Sequence, residues 1–391
     1  MGYFCWTTIA YCIDYELFLC MRTWLSLFYA HLMRQWSWWL LVFLALMIRV
    51  SDHFPHQVET YYSNGIFPVL SKIQRGLLGW VPFSLGDWLY GLMLLALLYQ
   101  LGQLTHGMIR RRFTRATLAV LLQRILFLLL FGYVGFNLLW GLNYNRPSLA
   151  NTLGIEIHSP SKNELDTLAM DLIRKLDETA EQVGPDQWKV LQQKKRLFSA
   201  AEHSYRMYPT ALGLHAYERS SIKPSLYSYP GNYLGFQGYY NPFTGEAQVN
   251  TTIPPFLEPF VTAHEVAHQL GYAREQEANF IAVLVCDQAE DPAFRYSMYL
   301  DLFLYTLGEI AGQDTLRAKQ LIQRAPRQVQ ADIATYRAFL RKHRNPLEQG
   351  IMWLYGEFLR ANNQPNGKYT YNEVVSWVIS YRRTFGRTSL I

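Results

Sequence analysis

His264, Glu265 and His268 stand in the order His-Glu-Val-Ala-His. On a helix this spacing sets the two imidazoles one turn apart on one face, with the glutamate beside them. Two nitrogen donors so placed can hold one Zn²⁺, while Glu265 reaches a water on the ion's open side. The matching chemistry is metal-assisted hydrolysis, in which the ion lowers the pKa of its water to about 7 and the glutamate removes a proton and returns it to the leaving group. Such a site needs a third protein ligand. Glu275 lies seven residues beyond His268, about 10 Å along an unbroken helix and too far to share an ion. The helix therefore has to break, and Gly271 supplies a C-terminal glycine at the right place. A second helix then opens at AREQEANFIAVLVC, where Glu275 and Glu277 point about 200° apart, so only one can face the metal. Glu275 is favoured because Asn279, one turn further on, can support a histidine ligand from behind. Glu277 is the alternative. Histidines on an ordinary polar helix face are the competing reading, against which the glycine break and the following glutamates weigh.

Around this motif lie weaker candidates. Tyr239, Tyr240 and Asn241 precede Pro242 where an edge strand could bind a substrate main chain by β-augmentation, or they could pack as core aromatics. Glu246 and Asn250 share strand parity with Gln248 and, with Tyr272, complete a candidate substrate groove. Arg274 could hold Glu275 or Glu277. Tyr369 and Tyr371 are the C-terminal residues that could reach the site. Cys286 reads as a buried apolar residue. Because Cys5, Cys12 and Cys20 crowd the N-terminus, a disulfide scaffold is excluded.

The elements that position these residues fall into two kinds. Half of the chain is hydrophobic and only 17% is charged, a balance that favours membrane association over a soluble or disordered protein. Segments at about 35–50, 85–102 and 117–141 are apolar enough to be read as three transmembrane helices. The second opens with Pro82, Ser84 and Asp87, which suit a helix start. In the third, Arg124 can snorkel, and Trp140 and Tyr144 mark the opposite interface. Up to residue 145 there are ten Lys/Arg against five Asp/Glu, leaving 26 against 25 beyond it. Arg110, Arg111, Arg112 and Arg115 concentrate that excess between two spans, a topology signal and not a nucleic-acid surface. The positive-inside rule then puts the N-terminus in the cytoplasm and everything past the third span outside it. Residues 1–32 form a poorly defined extension, and Met33 reads as a better start. Residues 33–145 are expected as a membrane domain and 146–391 as an extracytoplasmic domain. Within the latter, Ser161 and Glu164 form a capping box for a helix to about Val183. The Tyr/Gly/Pro-rich stretch 225–250 predicts a small β-hairpin turning at Thr244 and Gly245, and helices resume from about 256.

GYYNPFTGEAQVNTTIP and HEVAHQLGYAREQEANF, with LLWGLNYNRP, VETYYSNGIFP and PFSLGDWLYG, resemble an uncharacterised family of bacterial membrane proteins with an HExxH zinc-metallopeptidase domain. The resemblance runs from about Met33 to the C-terminus. It implies a membrane anchor, a zincin-like domain and a peptidase activity without a known substrate. It carries over His264, Glu265 and His268 and an acidic ligand from AREQEANF. The spacing is similar to that of glutamate-zincins with E-x-x-x-D, although Asn279 replaces the aspartate. The resulting expectation is a mainly α protein in the cytoplasmic membrane, with an α+β catalytic domain, one Zn²⁺ per chain and the lipid bilayer as a partner. It would act as a zinc-dependent peptidase or, alternatively, as a non-catalytic zinc-stabilised scaffold in envelope assembly.

Overall fold

A computed structural model describes residues 35–109, 114–208, 216–367, 372–386 and 390–391. The N-terminal extension, Arg110–Arg112, Tyr369 and Tyr371 therefore lie outside the described residues. The protein is mainly helical. It divides into two compact units, one of residues up to Ser51 with Phe113–Gly135, the other of Asp52–Arg112 with Phe136–Ile391.

The first unit contains α1 (Trp36–Ser51) and most of a later helix, Arg115–Leu139. The edge of Trp38 meets the ring of Phe127 at 5.1 Å between centroids. Most other large side chains here, Trp39, Phe43 and Leu126 among them, are exposed, as residues facing lipid are.

In the second unit, α2 (Pro55–Leu78) includes a π-helical stretch at Val58–Ile66, and α3 (Leu85–Ile109) follows. The helix Arg115–Leu139 is α4. Leu85–Ile109 and Thr117–Leu139 are long and apolar enough to cross a membrane. α1 has 16 residues, about 24 Å of rise against a hydrocarbon core of about 30 Å, so it falls short of a crossing by itself.

The expected boundary near residue 145 does not divide these units, because α2 packs with the C-terminal elements. There the short helix α5 (Leu149–Leu153) precedes α6 (Lys162–Ala180). Ser161 and Glu164 close a reciprocal capping box on α6, which satisfies two otherwise orphaned donors. Leu165, Leu168, Leu172 and Leu176 recur on its buried face and pack against α12 (Pro292–Gln313), after α7 (Pro185–Leu191), α8 (Lys194–Met207), α9 (Ser228–Leu234), α10 (Glu258–Gln269) and α11 (Glu275–Asp287). The chain finishes with α13 (Thr315–Arg324), α14 (Arg327–His343), α15 (Pro346–Ala361) and α16 (Glu373–Phe385).

The sheet has three strands, β1 (Ile222–Pro224), β2 (Gly238–Asn241) and β3 (Glu246–Val249), in the order β1-β3-β2. β1 runs parallel to β3 and β2 antiparallel to it, with Tyr239 opposite Gln248. Asn241 shapes the β2–β3 turn, its Oδ1 accepting from the amides of Phe243 and Thr244, and Gly245 takes a positive φ. Glu246 and Gln248 do share a strand face, but that face meets the start of α3. The buried Glu246 carboxylate accepts from the amides of Leu85 (3.1 Å) and Gly86 (2.7 Å), from the Ser84 hydroxyl and from that of Thr244. Ser84 Oγ in turn accepts from the Asp87 amide. An anion on the free amides of a helix start is favourable, and here it ties the sheet to α3.

Candidate metal centre

α10 is buried along its whole length, so every polar group on it needs a partner. Thr262 donates to the carbonyl of Glu258 and Tyr205 to that of Ala263. The Gln269 amide donates to Ser221 and Gly245 carbonyls while its oxygen accepts from Tyr217. The helix ends where its last carbonyls are met from other elements. Gln269 O accepts from Ser71 and Arg75 of α2, and His268 O accepts from the Trp140 indole at 2.9 Å. Gly271 then turns the chain at φ +92°, a conformation glycine adopts without strain. A Cβ there would also strike Phe67 at 2.7 Å. Four residues later α11 begins at Glu275, whose amide donates to Gln364 Oε1.

This break brings three donors together. His264 Nε2 lies 3.2 Å and His268 Nε2 3.3 Å from Glu275 Oε2, and one ligand atom from each residue falls within 4.8 Å of the others. Two donors on a tetrahedral zinc stand roughly 3.3 Å apart, given bonds of about 2.0–2.1 Å. The cluster could therefore hold a metal ion. His268 Nδ1 meets the Tyr272 carbonyl at 2.7 Å, and because a carbonyl only accepts, Nδ1 carries a proton, which leaves Nε2, now turned to Glu275, as the nitrogen that could bind an ion in place of its own proton. Asn279 lines the same cavity as His264 and Tyr305. Tyr355 donates to the outer oxygen of Glu275 at 2.7 Å. Supports of this kind orient ligands and raise their basicity.

Electrostatics follow from burial. Burial, then the neighbouring His268, hold His264 below the usual imidazole range. For His268 burial also disfavours the charge, but the Glu275 carboxylate outweighs it and pushes the ring up to about 9. Burial works against the charge of Glu275 as well, yet the two histidines hold its carboxyl well below the usual range. Glu265 forms no ion pair among the described residues, and the charge of His268 offsets its burial only in part. Burial pushes it up to about 8, and its Oε2 is buried with no hydrogen-bond donor among the described residues. Gly238 lets this carboxylate approach β2, since a Cβ there would lie 2.5 Å from Glu265 Oε1.

Two cavities flank the centre and share His264, Glu265, Gly238, Phe236 and Tyr355. One, of about 200 Å³, also reaches Phe260, Asp301 and Tyr305. The other, of about 310 Å³, is more apolar and reaches Tyr90, Phe136, Trp140, Tyr239 and Tyr240.

The remaining sequence candidates fall elsewhere. Glu277 is buried and accepts from the Leu149 amide and from Arg274, so it starts α5 and does not join the histidines. Asn241 and Glu246 serve the turn and the start of α3 instead of a groove. Asn250 is buried behind the sheet, donating to Asn232 and to the Phe236 carbonyl. Tyr272 gives the site its backbone carbonyl, while its ring lies under the Arg146 guanidinium at 5.5 Å. Trp140 and Tyr144 are buried and do not mark a membrane interface. Tyr239 lines the second cavity with its hydroxyl on Asp87 and Ser225. Tyr240 packs on Trp140. The residues missed by sequence reasoning are Tyr355, Gln364, Tyr305 and Asp301, which no local pattern marks, and Gly238, whose signal was a glycine inside a strand.

A family profile described as protein of unknown function (DUF3810) matches residues 62–379, and the chain belongs to that family. No curated protein and no solved structure matches it.

Proposed function

We propose that this protein is a membrane-anchored, zinc-dependent peptidase with a zincin-like centre, in which His264, His268 and Glu275 hold one Zn²⁺ and Glu265 is the general base. The observation that carries the reading is a three-donor set beside Glu265, which lines both cavities and whose buried Oε2 has no hydrogen-bond donor among the described residues. Structural zinc sites are usually closed by four ligands, often cysteines, whereas three protein donors leave a position for water and substrate. When bound, zinc supplies a water acidic enough to ionise near neutral pH and polarises a carbonyl.

The chain's own groups do the rest. With the metal bound, the Glu265 carboxylate would accept a proton from the water and deliver it to the leaving amine nitrogen. Tyr355 and the Tyr272 carbonyl hold the ligands in place. Among the described residues β2 pairs with β3 on one side, and its Gly238, Tyr239 and Tyr240 line the more apolar cavity, where a peptide main chain can lie as a further strand on the other edge. Anchoring rests on α3 and α4. The arginines between them favour the cytoplasmic membrane, with the C-terminal region outside the cytoplasm.

The test is Glu265→Gln in the full-length chain in detergent. One zinc per chain by elemental analysis is retained, while peptide hydrolysis falls by roughly 10²–10⁴. His264→Ala loses the metal. Hydrolysis persisting in Glu265→Gln, or metal persisting in His264→Ala, rejects the assignment.

A further inference from the structure

The cavity of about 200 Å³ beside the centre is walled by Phe236, Phe260, Tyr305 and Tyr355. It is smaller than the roughly 300–1,000 Å³ of pockets that take a whole ligand, a size suited to one side chain. One charged group lies away from the metal ligands and Glu265. Asp301, on α12, is half-buried and lines this cavity, and among the described residues no Lys or Arg lines it. Among the described residues no side chain forms an ion pair or donates a hydrogen bond to its carboxylate. Buried Asp332 on α14, by contrast, is paired with Tyr296 and Gln328. The partly desolvated Asp301 carboxylate, in a cavity with aromatic walls, gains from a cationic ligand a partner that the described residues do not supply. Aromatic walls favour the same ligand, since ring faces attract ammonium and guanidinium groups. Burial also pushes Asp301 up to about 7, in keeping with the lack of a cation from the protein itself.

We propose that Asp301 forms a specificity subsite for a cationic substrate side chain, a lysine ammonium or arginine guanidinium, carried by a residue next to the scissile bond. The proposal rests on the peptidase reading, and it deepens that reading by naming the substrate class. His264 and Glu265 line the same cavity, so a side chain seated on Asp301 leaves its own backbone beside the centre.

The test uses the full-length chain in detergent with zinc, and two peptide sets differing only by Lys against norleucine or Arg against citrulline at each position. Cleavage is mapped by mass spectrometry. At one position the cationic residue is preferred by about tenfold or more. Asp301→Asn collapses that ratio and Asp301→Glu keeps it. A ratio within one preparation is insensitive to the folded fraction, so partial misfolding cannot imitate the loss. In parallel, the binding of N-acetyl-Ala-Phe-Lys-Ala-amide and of its norleucine counterpart to Glu265→Gln is measured by calorimetry. Cleavage without cationic preference, or a preference that survives Asp301→Asn, overturns the subsite and leaves the peptidase standing. With no cleavage at all, Lys-selective binding that disappears in the Glu265→Gln/Asp301→Asn double variant upholds the subsite while the peptidase reading fails. Equal binding of the two peptides overturns the subsite.

Discussion

Tyr355 reaches the centre from α15 and donates to the outer oxygen of Glu275. Its hydroxyl fixes the carboxylate's rotamer and leaves Oε2 to the histidines. Tyr355→Phe removes one hydrogen bond and little volume. It therefore weakens zinc affinity by about tenfold, read by chelator competition, with the fold unchanged by circular dichroism. An unaltered affinity shows that Gln364 and packing suffice to hold Glu275. The difference between Tyr355 and His268 explains what the sequence could reveal. His264, Glu265 and His268 are bound to one another by helix geometry within five residues, and the next acidic residues follow seven and nine positions later, just past a glycine break. Tyr355 and Asp301 come to the site through tertiary packing of distant helices, and nothing in their own neighbourhoods announces it. The pair Glu275 and Glu277 lay between these cases. Helix rotation separated them, but the Leu149 amide that takes Glu277 is far away in the chain.

The start of α3 is held by Glu246, whose carboxylate accepts from two amides and two hydroxyls while fully buried. Glu246→Ala leaves those donors without an acceptor and costs about 3 kcal/mol or more. Thermal unfolding in detergent should show a clear fall in Tm, and an unchanged Tm shows that water replaces the carboxylate without loss. Lys223 adds a second tether from β1, donating to the carbonyls of Gly79 and Val81 just before α3. The start of α3 and the capping box of α6 were legible, because caps are local signals of fixed spacing. The role of Glu246 was not. Alternation along a strand tells which residues share a face and leaves open what that face meets, so a helix-capping carboxylate reads like a groove residue.

Hydropathy separates the spans from the rest, and it suggests cutting the chain at residue 145. The contacts of α10 argue otherwise. Ser71, Arg75 and Trp140 satisfy its last two carbonyls, and Phe67 packs against the Gly271 turn. A fragment of residues 146–391 loses all of these, at about 1–3 kcal/mol for the buried Gln269 carbonyl left unmatched, while His268 O keeps the Gly271 amide. It should therefore melt broadly and bind zinc weakly beside the full chain in detergent. A sharp melt with one zinc per fragment would show that the earlier segments are dispensable. Amphipathic connectors such as α2 carry no hydropathy signal strong enough to say which helix they cap, so this partnership could be seen only in three dimensions. One further feature bears on how substrate arrives. Tyr90 lines the apolar cavity and lies in the second turn of α3, a 25-residue helix fit to cross a bilayer. A peptide that is itself anchored in lipid would search for such a cleft in two dimensions, at a local concentration set by its tether and not by its solubility. Selection would then depend on where a peptide is held as much as on which residues it carries.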